Sequence, residues 1–154
     1  MPKRTKKLNT RDATAANSSR YVMEDQIGFL MRVAMQRHAA IFMSQIAGGL
    51  TQTQFAALAK LVDVGICSQN HLGRLIHLDA ATIRGVVHRL TNRRLVTIQD
   101  NPEDRRRSMV AITKNGRRVA EEAIAVASQI TEETLAPLNS IEQRQIIRLV
   151  RKLT

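Results

Sequence analysis

A mainly α chain with a small β-hairpin wing is predicted by three observations. Apolar residues recur at spacings of three and four through most of the 154 residues. Two alternating runs, Val96/Ile98 and Val110/Ile112, flank an Asn101-Pro102 turn. A capped helix rich in arginine and histidine runs directly into that hairpin, whose tip reads Asp104-Arg105-Arg106-Arg107. Together they describe a winged helix-turn-helix with N- and C-terminal helices forming a dimerisation region.

Each element has its own warrant. Residues 1–19 are polar and basic without apolar periodicity, and read as a disordered arm. From Tyr21 to Ala47, Ile27, Leu30, Met31, Ala34, Met35, His38, Ile41 and Phe42 keep a helical period, and Gly48-Gly49 ends it. Thr51 caps a second helix, with Gln54 at the capping-box position and Phe55, Leu58, Leu61 and Val62 on its apolar side. Gly65 stops it, and Ile66-Cys67 forms a short extended stretch. A third helix starts near Ser68 and buries Leu72, Leu75 and Ile76. Asp79 caps a fourth, with Ile83, Val86, Val87 and Leu90 inward. After the hairpin, Thr113 and Gly116 open a long helix that Pro137 breaks, and Ser140 caps the last one. The expected organisation is an arm over 1–19, dimerisation helices over 20–47 and 114–154, and a DNA-binding lobe over 50–113. The end helices carry more apolar face than one small lobe can cover, so two chains are expected to bury them mutually.

The formal net charge of +11 is placed rather than spread. Residues 1–20 hold a net of +5 and residues 79–118 a net of +6, so the remainder sums to zero. That is an electrostatic footprint for a polyanion. No apolar run spans a bilayer and no signal peptide opens the chain, and a single Cys fits a reducing cytoplasm. No metal-ligand cluster, Gly-rich phosphate loop or nucleophile elbow is present, so neither an enzyme nor a cofactor is expected. RNA binding lacks the aromatics that stack unpaired bases, at 3% aromatic content.

The stretches LTQTQFAALAKL (50–61) and HLGRLIHLDAATIRGVVHRLTNRRLVTIQDNPEDRRRSMVAITKNGRR (71–118), with the helical arms, resemble the MarR (multiple-antibiotic-resistance regulator) family of dimeric winged-helix transcription factors. The sharpest part is the wing, Asp104-Arg105-Arg106, followed by Val110-Ala111-Ile112-Thr113 and Gly116-Arg117. The resemblance implies a homodimer that binds an inverted-repeat operator in double-stranded DNA, usually a repressor released by a small aromatic carboxylate or by cysteine oxidation. It implies that Arg106 enters a minor groove and that Asp104 orients it. A narrow A·T-rich groove concentrates the negative potential that attracts a guanidinium. Two departures stand out. His77 replaces the glycine usual in the helix-turn-helix turn, which demands a positive φ of a non-glycine residue. Gly85 replaces a frequent arginine on the reading helix.

The expected DNA contacts follow from side-chain chemistry. Ala81, Thr82, Arg84, His88 and Arg89 face the major groove, where an arginine pairs bidentately with guanine. Arg93 and Arg94 hold the phosphate backbone, or else bridge to nearby acids. Ser68 and Gln69, at a helix start, are phosphate-clamp candidates, and Arg105 and Arg107 flank the wing tip. For the effector, Met35, His38, Phe42 and Phe55 would form apolar walls, with His71 or Arg74 as the cationic end. Plain core packing accounts equally for Met35, Phe42 and Phe55. Two alternatives accompany this reading: a sequence-indifferent architectural DNA-binding protein, to which the basic arm is suited, and a regulator sensing oxidation through Cys67, which would need a lowered thiol pKa.

Overall fold

The computed structural model describes residues 21–100 and 108–154. Residues up to Val33 and residues from Ala34 onward form two compact units. The first holds a 3-10 turn, Met23–Asp25, and the opening turns of α1 (Ile27–Gln45). Tyr21, Val22, Met23, Ile27, Leu30, Met31 and Val33 are all exposed there. The Arg32 guanidinium stands over the Phe29 ring, 5.1 Å from its centroid, which shields part of that apolar surface.

The second unit contains the rest of α1, a 3-10 turn Ala47–Gly49, α2 (Gln52–Val64), β1 (Cys67–Ser68), α3 (Gln69–Leu75) and α4 (Ala80–Asn92). It continues through β2 (Val96–Asp100), β3 (Ser108–Ile112), α5 (Lys114–Leu135) and α6 (Ser140–Val150). The first helix ends at Gln45 rather than Ala47. Buried Ile46 leads into the turn, where Gly48 and Gly49 take φ of 76° and 60°. Those values favour residues without a Cβ. Thr51 and Gln54 form the reciprocal capping box that their spacing predicts. The last helix is capped by Asn139, not Ser140. The Asn139 side chain accepts from the backbone of Ile141 and Glu142, and the Glu142 carboxylate takes the Asn139 N–H.

The sheet is antiparallel, in the order β1-β3-β2. Val96 faces Ile112 and Ile98 faces Val110 across the hairpin, while Cys67 faces Val110 on the other side. β1 is only two residues long, too short for a sequence pattern to announce its pairing. Leu50, Leu58, Leu61, Leu72, Ile83, Val86, Val87, Leu90, Val96 and Val110 form the fully buried centre. The four inward residues of α4 are all among them, so the helix seats on its apolar face and presents the opposite one. The described helices α1, α5 and α6 are less complete. α5 buries Ala120, Ala123 and Ile130, whereas α6 buries no residue at all.

Candidate nucleic-acid interface and effector cavity

α4 begins with one of the best-satisfied caps in the chain. Asp79 Oδ1 accepts from the N–H groups of Ala81 and Thr82 at 2.9 and 2.8 Å, and Oδ2 accepts from the Thr82 hydroxyl at 2.6 Å. These bonds, the Thr82 hydroxyl first, hold the Asp79 carboxyl below the usual aspartate range. Thr82 therefore has its hydroxyl proton committed to the cap, and only its oxygen lone pair and methyl remain for a ligand. Ala81, Thr82, Arg84, His88 and Arg89 are all exposed on the same helix. His88 Nε2 lies 3.2 Å from the Asn92 amide nitrogen, one turn on. Arg89 folds back across Gly85, which leaves room for its guanidinium. The absence of a side chain at Gly85 thus frees the path of Arg89.

The turn before α4 carries the strain that the sequence implies. His77 has φ of 55°, in the left-handed region, and Leu78 N–H reaches back to the Gly73 carbonyl at 2.8 Å. Arg94 has φ of 56°, a feature no local pattern signals.

Arg93 departs from its expected role. Its guanidinium donates to the Gly49 carbonyl at 3.2 Å, to the Gln54 side-chain oxygen at 3.3 Å and to the Gly48 carbonyl. It ties the end of α4 to the turn entering α2, and it bridges to no acid among the described residues. The carbonyls exposed by two positive-φ glycines are its partners, a signal that only the three-dimensional turn supplies. Ser68 Oγ caps α3 by accepting from His71 N–H at 3.2 Å, and Gln69 opens the same helix half-buried. Asp104, Arg105, Arg106 and Arg107 lie outside the described residues.

A cavity of about 370 Å³ opens between α1, α2 and α5, lined by Met35, His38, Phe42, Gln52, Phe55, Ala127, Ile130 and Thr131. Four of these are the expected wall residues. The Phe42 and Phe55 rings meet at 5.7 Å, tilted by 59°. His71 and Arg74 do not line it. They face each other at 3.4 Å on the exposed side of α3, so the expected cationic end does not reach this cavity, whose one lining histidine is His38. His38 Nδ1 lies 2.9 Å from the Thr134 hydroxyl, which itself donates to the Ile130 carbonyl at 2.7 Å. Arg37 donates to the carbonyls of Glu133 and Thr134, and Gln45 to the Glu133 carboxylate, so α1 is stitched to α5 along this edge. Gln52 is a wall residue that sequence reasoning missed, because a glutamine just after an N-cap reads as solvated.

Burial pushes the Cys67 thiol above its ordinary pKa. Oxidation sensing requires the opposite shift. Among the described residues no helix is long and apolar enough to cross a membrane, and no group of three or more His, Cys, Asp or Glu could hold a metal ion.

An exposed cationic helix seated by its apolar face beside a β-hairpin is the reading head of a winged-helix regulator. Comparison with known proteins narrows the class. The MarR family model matches residues 48–107. The HTH-type transcriptional repressor NicR of Pseudomonas putida is 38% identical over 148 residues, spanning 96% of this chain and 94% of that protein. The crystal structure of a probable transcriptional regulator from Pseudomonas aeruginosa is 46% identical, with a TM-score of 0.83, covering 86% of this chain and all of the other. BpsR of Bordetella bronchiseptica, whose DNA binding is regulated by 6-hydroxynicotinic acid, is 41% identical with a TM-score of 0.81, over 86% and 96% of the two chains. The chain belongs to the MarR family of transcription regulators, and these relatives are regulators rather than enzymes.

Proposed function

We propose that the chain is a cytoplasmic homodimeric repressor that reads an inverted-repeat operator in double-stranded DNA and is released by a small aromatic acid. The observation that carries the reading is α4, whose apolar face is wholly buried while Ala81, Arg84, His88 and Arg89 stand in solvent. A helix so seated enters a major groove with its N-terminal half toward the base edges. The cap leaves Ala81 as the small residue at the point of closest approach. Arg84 and Arg89 are the candidates for guanine, and His88 and Thr82 for a base or phosphate. In the wing, Arg106 takes the minor groove with Asp104 orienting it, and Arg105 and Arg107 meet phosphates. Ser68 and Gln69 approach the backbone at the start of α3, with Gln69 supplying the free side chain.

The effector sits in the cavity between α1, α2 and α5. NicR is a repressor, and BpsR responds to a hydroxylated N-heteroaromatic acid, which supports the class of ligand. A molecule wedged between α1, α2 and α5 favours one spacing of the two heads and shifts the population accordingly.

The test is fluorescence anisotropy of labelled duplexes with the full chain. Affinity for a palindromic promoter fragment is expected to exceed that for a scrambled one and to fall on the order of 10³–10⁵ between 50 and 200 mM salt. Addition of the acid is expected to release the palindrome. Equal affinity for both duplexes at physiological salt overturns the operator reading in favour of a sequence-indifferent DNA coater.

A further inference from the structure

The cavity is mostly apolar, yet an aromatic acid brings it a carboxylate. A carboxylate leaves water only where a cation and hydrogen-bond donors meet it. Among the described residues no Lys or Arg lines the cavity, and His38 is the one lining side chain that can carry a positive charge. Its orientation is determined by a single proton. The Thr134 hydroxyl spends its hydrogen on the Ile130 carbonyl, so it can only accept from His38 Nδ1. The Nδ1 atom therefore carries the hydrogen in the neutral ring, and Nε2 is the nitrogen left for the cavity, bare until a second proton arrives. The charged groups flanking His38 are Arg37 on α1 and Glu133 on α5. The Arg37 guanidinium is on the Glu133 and Thr134 carbonyls, and the Glu133 carboxylate takes Gln45. α2 brings only uncharged Gln52 and Phe55 to the cavity.

The second polar group is Gln52. Its amide nitrogen is buried and has no hydrogen-bond partner among the described residues. Such a donor costs free energy until something accepts from it. The Thr131 hydroxyl already donates to the Ala127 carbonyl at 3.1 Å, so its hydrogen is spent and Gln52 is the lining amide with hydrogens to offer a ligand.

We propose that His38 binds the carboxylate of the effector as an imidazolium, taking up one proton from solvent on Nε2, and that Gln52 turns its amide onto an oxygen at the other end of the ring. This inference rests on the effector reading above and sharpens it. The ligand class is an aromatic or heteroaromatic acid bearing a ring oxygen. Binding is coupled to protonation, so affinity falls as pH rises, toward tenfold per pH unit.

Isothermal titration calorimetry of the full chain tests this with 6-hydroxynicotinic acid and with nicotinic acid, which lacks the ring oxygen. The titrations are run at pH 8. In buffers of different ionisation enthalpy, the wild-type heats are expected to differ by the uptake of close to one proton per protomer. His38→Gln is expected to keep an unchanged melting curve, bind more weakly and lose the buffer dependence. Gln52→Leu is expected to weaken 6-hydroxynicotinic acid about three- to tenfold, the span of one neutral hydrogen bond, and to leave nicotinic acid unchanged. Wild-type heats independent of buffer, or proton uptake that survives in His38→Gln, overturn the role of His38. Equal loss of both acids in Gln52→Leu overturns the role of Gln52. Absence of binding by either acid overturns the effector reading beneath both.

Discussion

Gly116 sits where a methyl group cannot. An ideal Cβ there would lie 1.9 Å from the Leu95 carbonyl oxygen and 3.1 Å from the Ile112 side chain. The near neighbour is backbone, which cannot swing aside, so Gly116→Ala is expected to lose more than about 2 kcal/mol in urea unfolding. Gly85 is the contrasting case. The nearest group to its missing Cβ is the flexible end of Arg89, at 3.2 Å. Gly85→Ala is therefore expected to raise stability by up to about 1 kcal/mol, the helix-propensity gain, with Arg89 displaced. Arg93 tests a residue's role rather than its space. Its guanidinium serves two carbonyls and one amide oxygen, at the junction of the α4 end and the α2 entry. Arg93→Ala is expected to cost about 1–2 kcal/mol of unfolding free energy, reduced from the buried value because the group is exposed. Arg93→Lys should recover only part of it, since one ammonium cannot span three acceptors. A variant that melts like wild type but binds DNA with a shallower salt dependence would return Arg93 to a phosphate.

At the level of elements, α4 depends on its cap. The folded Asp79 carboxyl is held below its unfolded value, so its contribution is fully present above the ordinary aspartate range and is lost as pH falls through the folded pKa. Asp79→Ala should therefore lower the melting temperature at pH 7 and have a smaller effect near pH 2, as measured by helical circular dichroism. The preceding turn offers the opposite change. His77 holds a left-handed φ of 55°, and His77→Gly is expected to gain about 0.5–1 kcal/mol, relief of the Cβ strain less the added freedom of the unfolded chain. The inward faces of α2 and α4, their caps and the hairpin register were legible because each follows from a local rule: a 3.6-residue period, an Asp or Thr before it, or alternation about a turn. His77 was legible too, as a non-glycine where geometry wants φ above zero. What stayed hidden depends on contacts distant in sequence. Arg93 finds carbonyls more than forty positions away, Gln52 lines a cavity with residues of α1 and α5, and β1 exists only by pairing with β3. The Asn139 cap was missed by one residue because Asn139 and Ser140 are both good caps, and only the reciprocal bond to Glu142 decides between them.

For the whole molecule, the decisive surface is the one that the core leaves out. Ile141, Ile146, Ile147, Leu149, Val150 and Leu153 are all at least 40% exposed in or just after α6, and none belongs to the buried cluster. α1 exposes Ile27, Leu30, Met31 and Met35 in the same way. Apolar surfaces of this kind are what an interface covers, and a two-fold pairing of like segments covers them without an open edge. The buried cluster is built from α1 to α5 and the sheet, so charge placed on α6 should spare the fold of the lobe while opposing assembly. Ile146→Glu with Ile147→Glu is therefore expected to give a monomer by light scattering, with helical signal retained and a melting temperature that no longer rises with protein concentration. Operator affinity should fall by about 10² to 10⁴, because each reading head then binds its half-site without the other held nearby. A dimer that persists in this variant with unchanged operator affinity would place the interface elsewhere and remove α6 from it.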